Sequence, residues 1–172
     1  MRLLPLAPLV LLAGCASAPF IAMSDQEKPP AGIMATRPVR KDYVKLSDAE
    51  WKEKLTPSQY NILRKEGTEA PYSGSLLNVH KQGVFMCAGC GLPLFLTNAK
   101  FDSGTGWPSF FQPASKDAIY VHKDVSAGMA RWEVRCARCD GHLGHVFDDG
   151  PADKTGLRYC MNSDALTFAP KK

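Results

Sequence analysis

The sequence has only a small excess of charge and no long hydrophobic run. Its 172 residues include 21 Lys and Arg against 17 Asp and Glu, a net charge of +4. A small excess scattered along the chain predicts no nucleic-acid partner. The apolar segment 3–12 is too short to span a bilayer as a helix. What remains is a composition with 45% hydrophobic residues, enough for one domain with its own core.

The short apolar segment resembles a secretion signal. It follows Arg2 and ends in Leu12-Ala13-Gly14-Cys15, where small residues before a cysteine resemble the lipobox of bacterial lipoproteins. This resemblance implies removal of the signal peptide 1–14 and lipid on Cys15, which would tether the protein to a membrane facing the periplasm. Ala16 after the cysteine favours the outer membrane over the inner one. The alternative is an ordinary secretion signal with an incidental cysteine.

The remaining chain divides into a tether and a domain. Residues 15–41 contain four prolines and few apolar residues, which predicts a flexible tether before a domain at 42–169. Two short helices should open the domain, because Ser47-Asp48-Ala49-Glu50 and Thr56-Pro57-Ser58-Gln59 both have the form of a capping box. Gly67 should end the second helix. Short apolar segments between turn residues then predict strands at 79–86, 92–96, 119–122, 129–134, 144–147 and 157–161.

Four of the six cysteines form two Cys-x-x-Cys turns, here called knuckles. Cys87 and Cys90 form the first knuckle, and Cys136 and Cys139 form the second. Two such turns supply four thiolates in a tetrahedral arrangement, which predicts one structural Zn²⁺ per chain. Gly91 and Gly141 should allow the tight backbone around the ligands.

Two alternatives to this zinc site depend on the same residues. One knuckle could be a redox-active disulfide in an exported protein, although a matched pair of knuckles favours a metal. His142 or His145 could also replace a cysteine ligand. Because four thiolates already complete the tetrahedron, both histidines should be free for other roles.

Cys160 is the cysteine that neither the knuckles nor the lipobox uses. Arg158 lies two residues before it, on the same face of a predicted strand, where a cation should lower the pKa of the thiol. His142, His145 and Asn162 are close by in the sequence. A thiol, two imidazoles and an amide form a plausible catalytic set, although each could be purely structural.

Three segments resemble the signatures of the B-type methionine sulfoxide reductases. They are KFDSGTGWPSF (100–110), HLGHVFDDGP (142–151) and GLRYCMNS (156–163). The two knuckles also lie where the zinc-containing members of that family have theirs. The resemblance implies a mainly β fold, a β-tent of two antiparallel sheets with short N-terminal helices. It also implies reduction of the R epimer of methionine sulfoxide, mainly in proteins.

The resemblance also assigns roles to single residues. Cys160 would be the nucleophile that attacks the sulfoxide sulfur and becomes a sulfenic acid. Trp107, with Phe147, would contact the methyl group of the substrate. The remaining residues would bind and protonate the sulfoxide oxygen or orient the groups that do so: His145, His142, Asn162, Arg158 and Asp149.

The sequence departs from many members of this family at Thr105. That position in the glycine loop often holds a second cysteine, which resolves the sulfenic acid as a disulfide. Because the domain has no other free thiol, an external thiol should be required, from a thioredoxin-like protein or a small molecule. The chain should act as a monomer.

Two other functions fit parts of the sequence. A zinc-knuckle domain could bind a protein partner without catalysis, but such a module would not need the activated cysteine at 160. A thiol–disulfide exchange enzyme would instead use one knuckle as its redox centre, and metal analysis would separate it from a zinc protein.

Overall fold

The computed structural model describes residues 28–126, 128 and 130–171. The predicted signal peptide and Cys15 lie outside these residues. Within the described part of the chain, no helix is long and apolar enough to cross a membrane.

Two short helices begin the domain, as the capping boxes predict. Helix α1 spans Asp48–Lys54 and helix α2 spans Pro57–Lys65, and both capping boxes form with their side-chain and backbone hydrogen bonds. One detail differs from the prediction: Glu66, not Gly67, adopts the left-handed conformation that ends α2, with φ 57°. Gly67 follows it and donates its N–H to the Asn61 carbonyl at 3.0 Å.

Nine strands follow the helices in the described part of the chain. They are β1 (Gly83–Cys87), β2 (Pro93–Leu96), β3 (Lys100–Phe101), β4 (Ser109–Phe110), β5 (Ile119–Asp124), β6 (Arg131–Cys136), β7 (His142–Phe147), β8 (Arg158–Met161) and β9 (Leu166–Pro170). Each of the six predicted strands overlaps one of these, although the first begins four residues later than predicted. The sequence did not indicate β3, β4 or β9.

The strands form two antiparallel sheets, which confirms the predicted fold class. The smaller sheet has the order β2-β1-β9, and the larger has the order β3-β4-β8-β7-β6-β5. Aromatic rings join them: Phe110 of β4 packs against Phe95 of β2 at 4.4 Å and against Phe85 of β1 at 4.9 Å between ring centroids. All three rings are fully buried, so the core lies between the sheets.

The N-terminal segment 33–44 lies against the domain. Ile33 and Val44 pack on the core, and the Met34 carbonyl accepts a hydrogen bond from the Val121 N–H at 2.8 Å. Val121 belongs to β5, the edge strand of the larger sheet, so this contact covers part of an otherwise unpaired edge. The packed part of the chain therefore begins before residue 42.

Candidate active site and metal centre

The four knuckle cysteines converge on one point, as the spacing predicts. Their sulfur atoms all lie within 4.8 Å of one another. The Cys87 and Cys139 sulfurs are 3.6 Å apart and those of Cys90 and Cys136 are 3.5 Å apart. A disulfide would require about 2.05 Å, whereas a tetrahedral zinc with bonds of about 2.3 Å places its sulfurs about 3.8 Å apart. The donor set therefore fits Zn²⁺.

A left-handed residue follows each knuckle and turns the backbone around the sulfurs. After the first knuckle this residue is Gly91, with φ 72°, and its N–H donates to the Cys87 carbonyl at 2.8 Å. After the second knuckle it is Asp140, with φ 63°, and not Gly141 as the sequence suggested. An aspartate tolerates this conformation because its short polar side chain can form local hydrogen bonds, and here it accepts one from the Tyr120 hydroxyl.

Arginine side chains surround the second knuckle and donate hydrogen bonds to its backbone carbonyl groups. Arg37 of the N-terminal segment donates to the carbonyls of Ala137 at 3.0 Å and Arg138 at 2.6 Å. Arg64 of α2 donates to the Cys139 carbonyl at 3.1 Å. Because four thiolates on Zn²⁺ carry a net charge of −2, this positive surrounding favours the metal-loaded state.

Strand register places Cys160 directly opposite His145. Cys160 lies on β8 and His145 on the neighbouring β7, and the two residues are paired across the antiparallel ladder. Gly144 makes this close pairing possible, since a Cβ atom there would lie 2.1 Å from the Cys160 carbonyl oxygen. The sheet therefore holds the thiol and the imidazole side by side.

A cavity of about 210 Å³ opens over this pair. Five of the predicted site residues line it: Trp107, His145, Phe147, Cys160 and Asn162. Its wall is completed by Thr68, Arg131, Gly144 and Met161. Three other predicted residues, His142, Asp149 and Arg158, do not line it. The cavity thus combines an apolar aromatic side with a thiol and an imidazole.

The Cys160 thiol is half-buried beside hydroxyl groups. Its sulfur lies 3.9 Å from the Thr105 hydroxyl oxygen, and Ser103 links Thr105 to Ser109 by two hydrogen bonds of 2.8 Å. Burial raises the pKa of Cys160, and contacts with Thr105 and Arg158 offset part of that rise. Arg158 thus acts in the expected direction, but burial outweighs it in the free protein.

Arg158 is held in place by a paired carboxylate. Its guanidinium donates two hydrogen bonds of 2.8 Å to Asp149, and it also lies over the Phe147 ring at 4.4 Å. The hydrogen bonds from Arg158 lower the pKa of Asp149. This bidentate pair holds a positive charge near Cys160, while the arginine side chain does not line the cavity.

His145 forms a hydrogen bond with a carboxylate that the sequence analysis did not single out. Its Nε2 donates to Asp124 Oδ2 at 2.8 Å, and the same oxygen accepts from Arg131 at 2.6 Å. Burial lowers the pKa of His145, while the hydrogen bond to Asp124 opposes that effect. The imidazole therefore has one nitrogen fixed by the protein and one left for a ligand.

His142 and Asn162 are buried and hydrogen-bonded within the protein, although the Nε2 atom of His142 has no partner among the described residues. His142 Nδ1 donates to Glu133 at 2.7 Å, and the ring lies 5.5 Å from that of His145. The Asn162 amide donates to the Leu143 carbonyl at 3.1 Å, and its oxygen accepts the Glu69 N–H at 3.1 Å. Direct hydrogen bonds to a ligand from Asn162 would have to compete with these contacts.

Glu69 joins several parts of the cavity wall and was also missed by the sequence analysis. Its carbonyl accepts from Trp107 Nε1 at 3.1 Å, and its carboxylate accepts the N–H groups of Ser163 at 2.7 Å and Asp164 at 3.1 Å. In the sequence Glu69 lies in the segment TEAP at 68–71, which contains no motif that would indicate a role in the site.

This fold and the cysteine–histidine pair define a SelR domain, whose family model matches residues 55–170. The chain is 54% identical over 127 residues to "Peptide methionine sulfoxide reductase MsrB" of Agrobacterium fabrum, covering 74% of this chain and 93% of that protein. It is 55% identical over 130 residues to the protein of the same name from Bradyrhizobium diazoefficiens, covering 76% and 93%. The chain therefore belongs to the B-type methionine sulfoxide reductase family.

Among the solved structures to which the chain is similar is one titled "Crystal Structure of Mis18 'Yippee-like' Domain". It is 20% identical and aligns with a TM-score of 0.44 over 54% of this chain and 99% of that chain.

Proposed function

We propose that this protein reduces methionine-R-sulfoxide, mainly in proteins, to methionine, with Cys160 as the nucleophile. The observation that carries the proposal is the direct pairing of Cys160 with His145 beneath an aromatic-lined cavity. Membership of the B-type methionine sulfoxide reductase family supports the same reaction.

The reaction transfers one oxygen atom from the substrate to Cys160. The thiolate attacks the sulfoxide sulfur while the His145 imidazolium donates a proton to the sulfoxide oxygen. Attack forms a bond between the Cys160 sulfur and the substrate sulfur, and the protonated oxygen then passes as a hydroxyl group from the substrate sulfur to the Cys160 sulfur. This transfer breaks the substrate sulfur–oxygen bond and the sulfur–sulfur bond, and it leaves methionine, a sulfenic acid on Cys160 and neutral His145. The substrate sulfur gains two electrons and the cysteine sulfur loses two.

The cavity walls would orient the sulfoxide for this attack. Trp107 and Phe147 offer ring surfaces that favour the methyl group and a sulfur contact. His145 would hold the oxygen on the opposite side, whereas His142 and Asn162 keep the surrounding backbone and rings in place. With the methyl group and the oxygen fixed in this way, only the R epimer presents its sulfur to Cys160.

Recycling requires an external thiol. A thiol attacks the sulfenic acid, forming a mixed disulfide and water, and a second thiol releases Cys160 as the reduced form. We propose a thioredoxin-like protein or a small thiol as the reductant, because the other free cysteines of the described chain converge in the knuckles.

The knuckles would hold one structural Zn²⁺ through Cys87, Cys90, Cys136 and Cys139. Such a closed site contributes folding free energy and leaves no position for a substrate. We expect one zinc per chain by metal analysis, and loss of both zinc and stability in Cys87→Ser. A metal-free, fully folded protein with a Cys87–Cys90 disulfide would contradict this assignment.

We also propose that the protein is exported and tethered through lipid on Cys15, where it would repair oxidised proteins of the periplasm. The support is the resemblance of residues 12–15 to a lipobox. Intact-mass measurement should show lipid on the mature protein and none on Cys15→Ala. Unmodified wild-type protein in the soluble periplasmic fraction would indicate an ordinary signal.

The central test is an epimer assay. A peptide carrying either epimer of methionine sulfoxide is incubated with dithiothreitol and with wild type or Cys160→Ser. We expect wild type to consume only the R epimer and the variant to consume neither. Equal consumption of both epimers would refute the proposed orientation, and full activity of Cys160→Ser would refute the nucleophile.

A further inference from the structure

We propose that Asp124 is a positioning residue that orients His145 and stabilises its imidazolium during sulfoxide reduction. This inference rests on the proposed function. Asp124 does not need to touch the substrate, because it would act entirely through the ring of His145.

The Asp124 carboxylate, at the end of β5, accepts four hydrogen bonds. Its Oδ1 accepts the Ser126 N–H at 2.8 Å and the Ser126 hydroxyl at 2.7 Å. Its Oδ2 accepts from Arg131 at 2.6 Å and from His145 Nε2 at 2.8 Å. These bonds lower the pKa of Asp124 despite its burial, so the group is a carboxylate under working conditions.

This arrangement determines which nitrogen of His145 can reach a substrate. Because Nε2 is bonded to Asp124, only Nδ1 remains to donate a proton into the cavity. A carboxylate on the far nitrogen fixes the tautomer and the plane of the ring, and it stabilises the positive charge of the imidazolium. The aspartate therefore supplies the orientation that a general acid needs.

Asp124 opposes the surrounding groups that lower the pKa of His145. The titratable and charged groups packed against it are Asp124 on β5, Arg131 and Glu133 on β6, His142 on β7 and Cys160 on β8. Burial, Arg131 and His142 all lower the pKa of His145, whereas Asp124 raises it. Loss of the Asp124 charge should therefore lower that pKa further.

The alternative is that Asp124 only anchors the β5–β6 turn through Ser126. In that case its substitution would weaken the turn, and activity would fall equally at every pH. A role through His145 instead predicts a change in the pH profile, and this difference separates the two possibilities.

The experiment compares Asp124→Asn with wild type. We measure kcat/KM for an R-sulfoxide peptide between pH 5 and 9, and we titrate His145 by ¹⁵N NMR over the same range, with His145→Gln to assign the signal. We expect kcat/KM of the variant to fall about tenfold at pH 8 and less at pH 5, because a general acid is worth about 10²- to 10⁴-fold in rate. The His145 titration should move to lower pH.

Asp117→Asn is the matched control, since Asp117 also pairs with an arginine, Arg40 at 3.0 Å, but lines neither the cavity nor the Asp124 site. It should leave both the profile and the titration unchanged. Arg131→Gln should have the opposite effect on the pKa of His145, because removing that cation should move the His145 titration to higher pH.

Two results would overturn the inference. One is an Asp124→Asn enzyme whose profile runs parallel to wild type with an unchanged His145 titration. The other applies if that variant does not fold: Arg131→Gln with no shift of the titration. Both outcomes are distinguishable from failure of the proposed function, in which wild type itself would not reduce the R-sulfoxide peptide.

Discussion

Thr105 occupies the place from which a second thiol could reach the nucleophile. Its hydroxyl oxygen is 3.9 Å from the Cys160 sulfur, and Gly104 and Gly106 on either side both have positive φ angles. A cysteine here would put two sulfurs close to bonding distance after a small adjustment of the loop. With threonine, a sulfenic acid on Cys160, as we propose, would have no internal partner at this position.

Substitution of Thr105 should restore internal resolution. After one equivalent of R-sulfoxide without reductant, we expect Thr105→Cys to form a disulfide between residues 105 and 160. Wild type should instead give a sulfenic acid that a dimedone trap captures on Cys160. Peptide mapping by mass spectrometry distinguishes the two products.

Thr155→Cys is a suitable control, because it adds an exposed thiol that does not contact Cys160. It should still give the trapped adduct. A disulfide between Cys160 and any knuckle cysteine in wild type would contradict the division of the cysteines into one nucleophile and four metal ligands.

The local sequence indicated the candidate site residues that can be recognised by their own chemistry. An unpaired cysteine near two histidines indicated Cys160 and His145, and Cys-x-x-Cys spacing indicated the ligand set. Asp124 was not found, because the segment DVSAG at 124–128, with its aspartate, serine and glycine, appears as an ordinary turn. Its partner is 21 residues away, and only the register of β5, β6 and β7 brings the two together.

The N-terminal segment 33–44 acts as a brace for the second knuckle. Arg37 donates to two knuckle carbonyls and also lies over the Tyr43 ring at 4.3 Å, while the Val44 N–H donates to the Arg138 carbonyl at 3.1 Å. The donors Arg37 and Val44 lie outside residues 55–170, the part that matches the SelR family model, whereas the carbonyls that they bind lie within it. The N-terminal segment therefore supports the second knuckle from outside the part of the chain that the family model matches.

Removal of Arg37 should therefore weaken the metal centre. We expect Arg37→Ala to lower the free energy of unfolding by about 2 kcal/mol, because hydrogen bonds from a charged donor are worth about 1.5–3 kcal/mol and water can partly replace them here. Zinc release to a chelator should become several times faster. Urea denaturation and a colorimetric zinc assay measure the two effects.

Arg40→Ala provides the comparison within the same segment. Its partners Asp42 and Asp117 are 46% and 62% exposed, so the loss should be about 0–1 kcal/mol with unchanged zinc release. If the two variants behaved alike, the contacts of Arg37 with the knuckle would have no special importance.

The helices were easier to predict than the strands. Capping boxes are local patterns of four residues, so both helices begin where the sequence places them. Strands β3 and β4 have only two residues each, which is too short to show any alternation. Strand β9 ends in Ala169 and Pro170, and its place beside β1 depends on pairing with a segment about 80 residues away.

Acid should destabilise the folded domain in two stages. The folded-state pKa of His145 is lowered by burial, and those of Asp124, Glu133 and Asp149 are lowered by hydrogen bonds from cationic partners and other donors. A group with a depressed folded-state pKa contributes stability above its unfolded-state pKa and loses it as the pH falls. Stability should thus decline below about pH 6.5 for His145 and again below about pH 4 for the carboxylates.

Urea midpoints between pH 8 and pH 3 measure this decline. His145→Gln should remove the stage near neutral pH and leave the lower one, whereas His80→Gln, at an exposed position, should leave both. Protonation of the knuckle thiolates adds to the loss at low pH when zinc is bound. A stability that rises on acidification from pH 7 to pH 5 would contradict the assigned sign.

The brace at the second knuckle also decides how the domain would respond to mechanical load. If the protein is held by lipid at Cys15, any pull on the domain enters through the N-terminal segment 33–44. That force would first reach the contact of Met34 with β5, then Arg37 and the knuckle carbonyls, and only later the β7–β8 pair. With zinc bound, the metal–thiolate bonds would resist part of the strain, and less of it would reach the geometry between Cys160 and His145 while the domain moves at the end of its anchor.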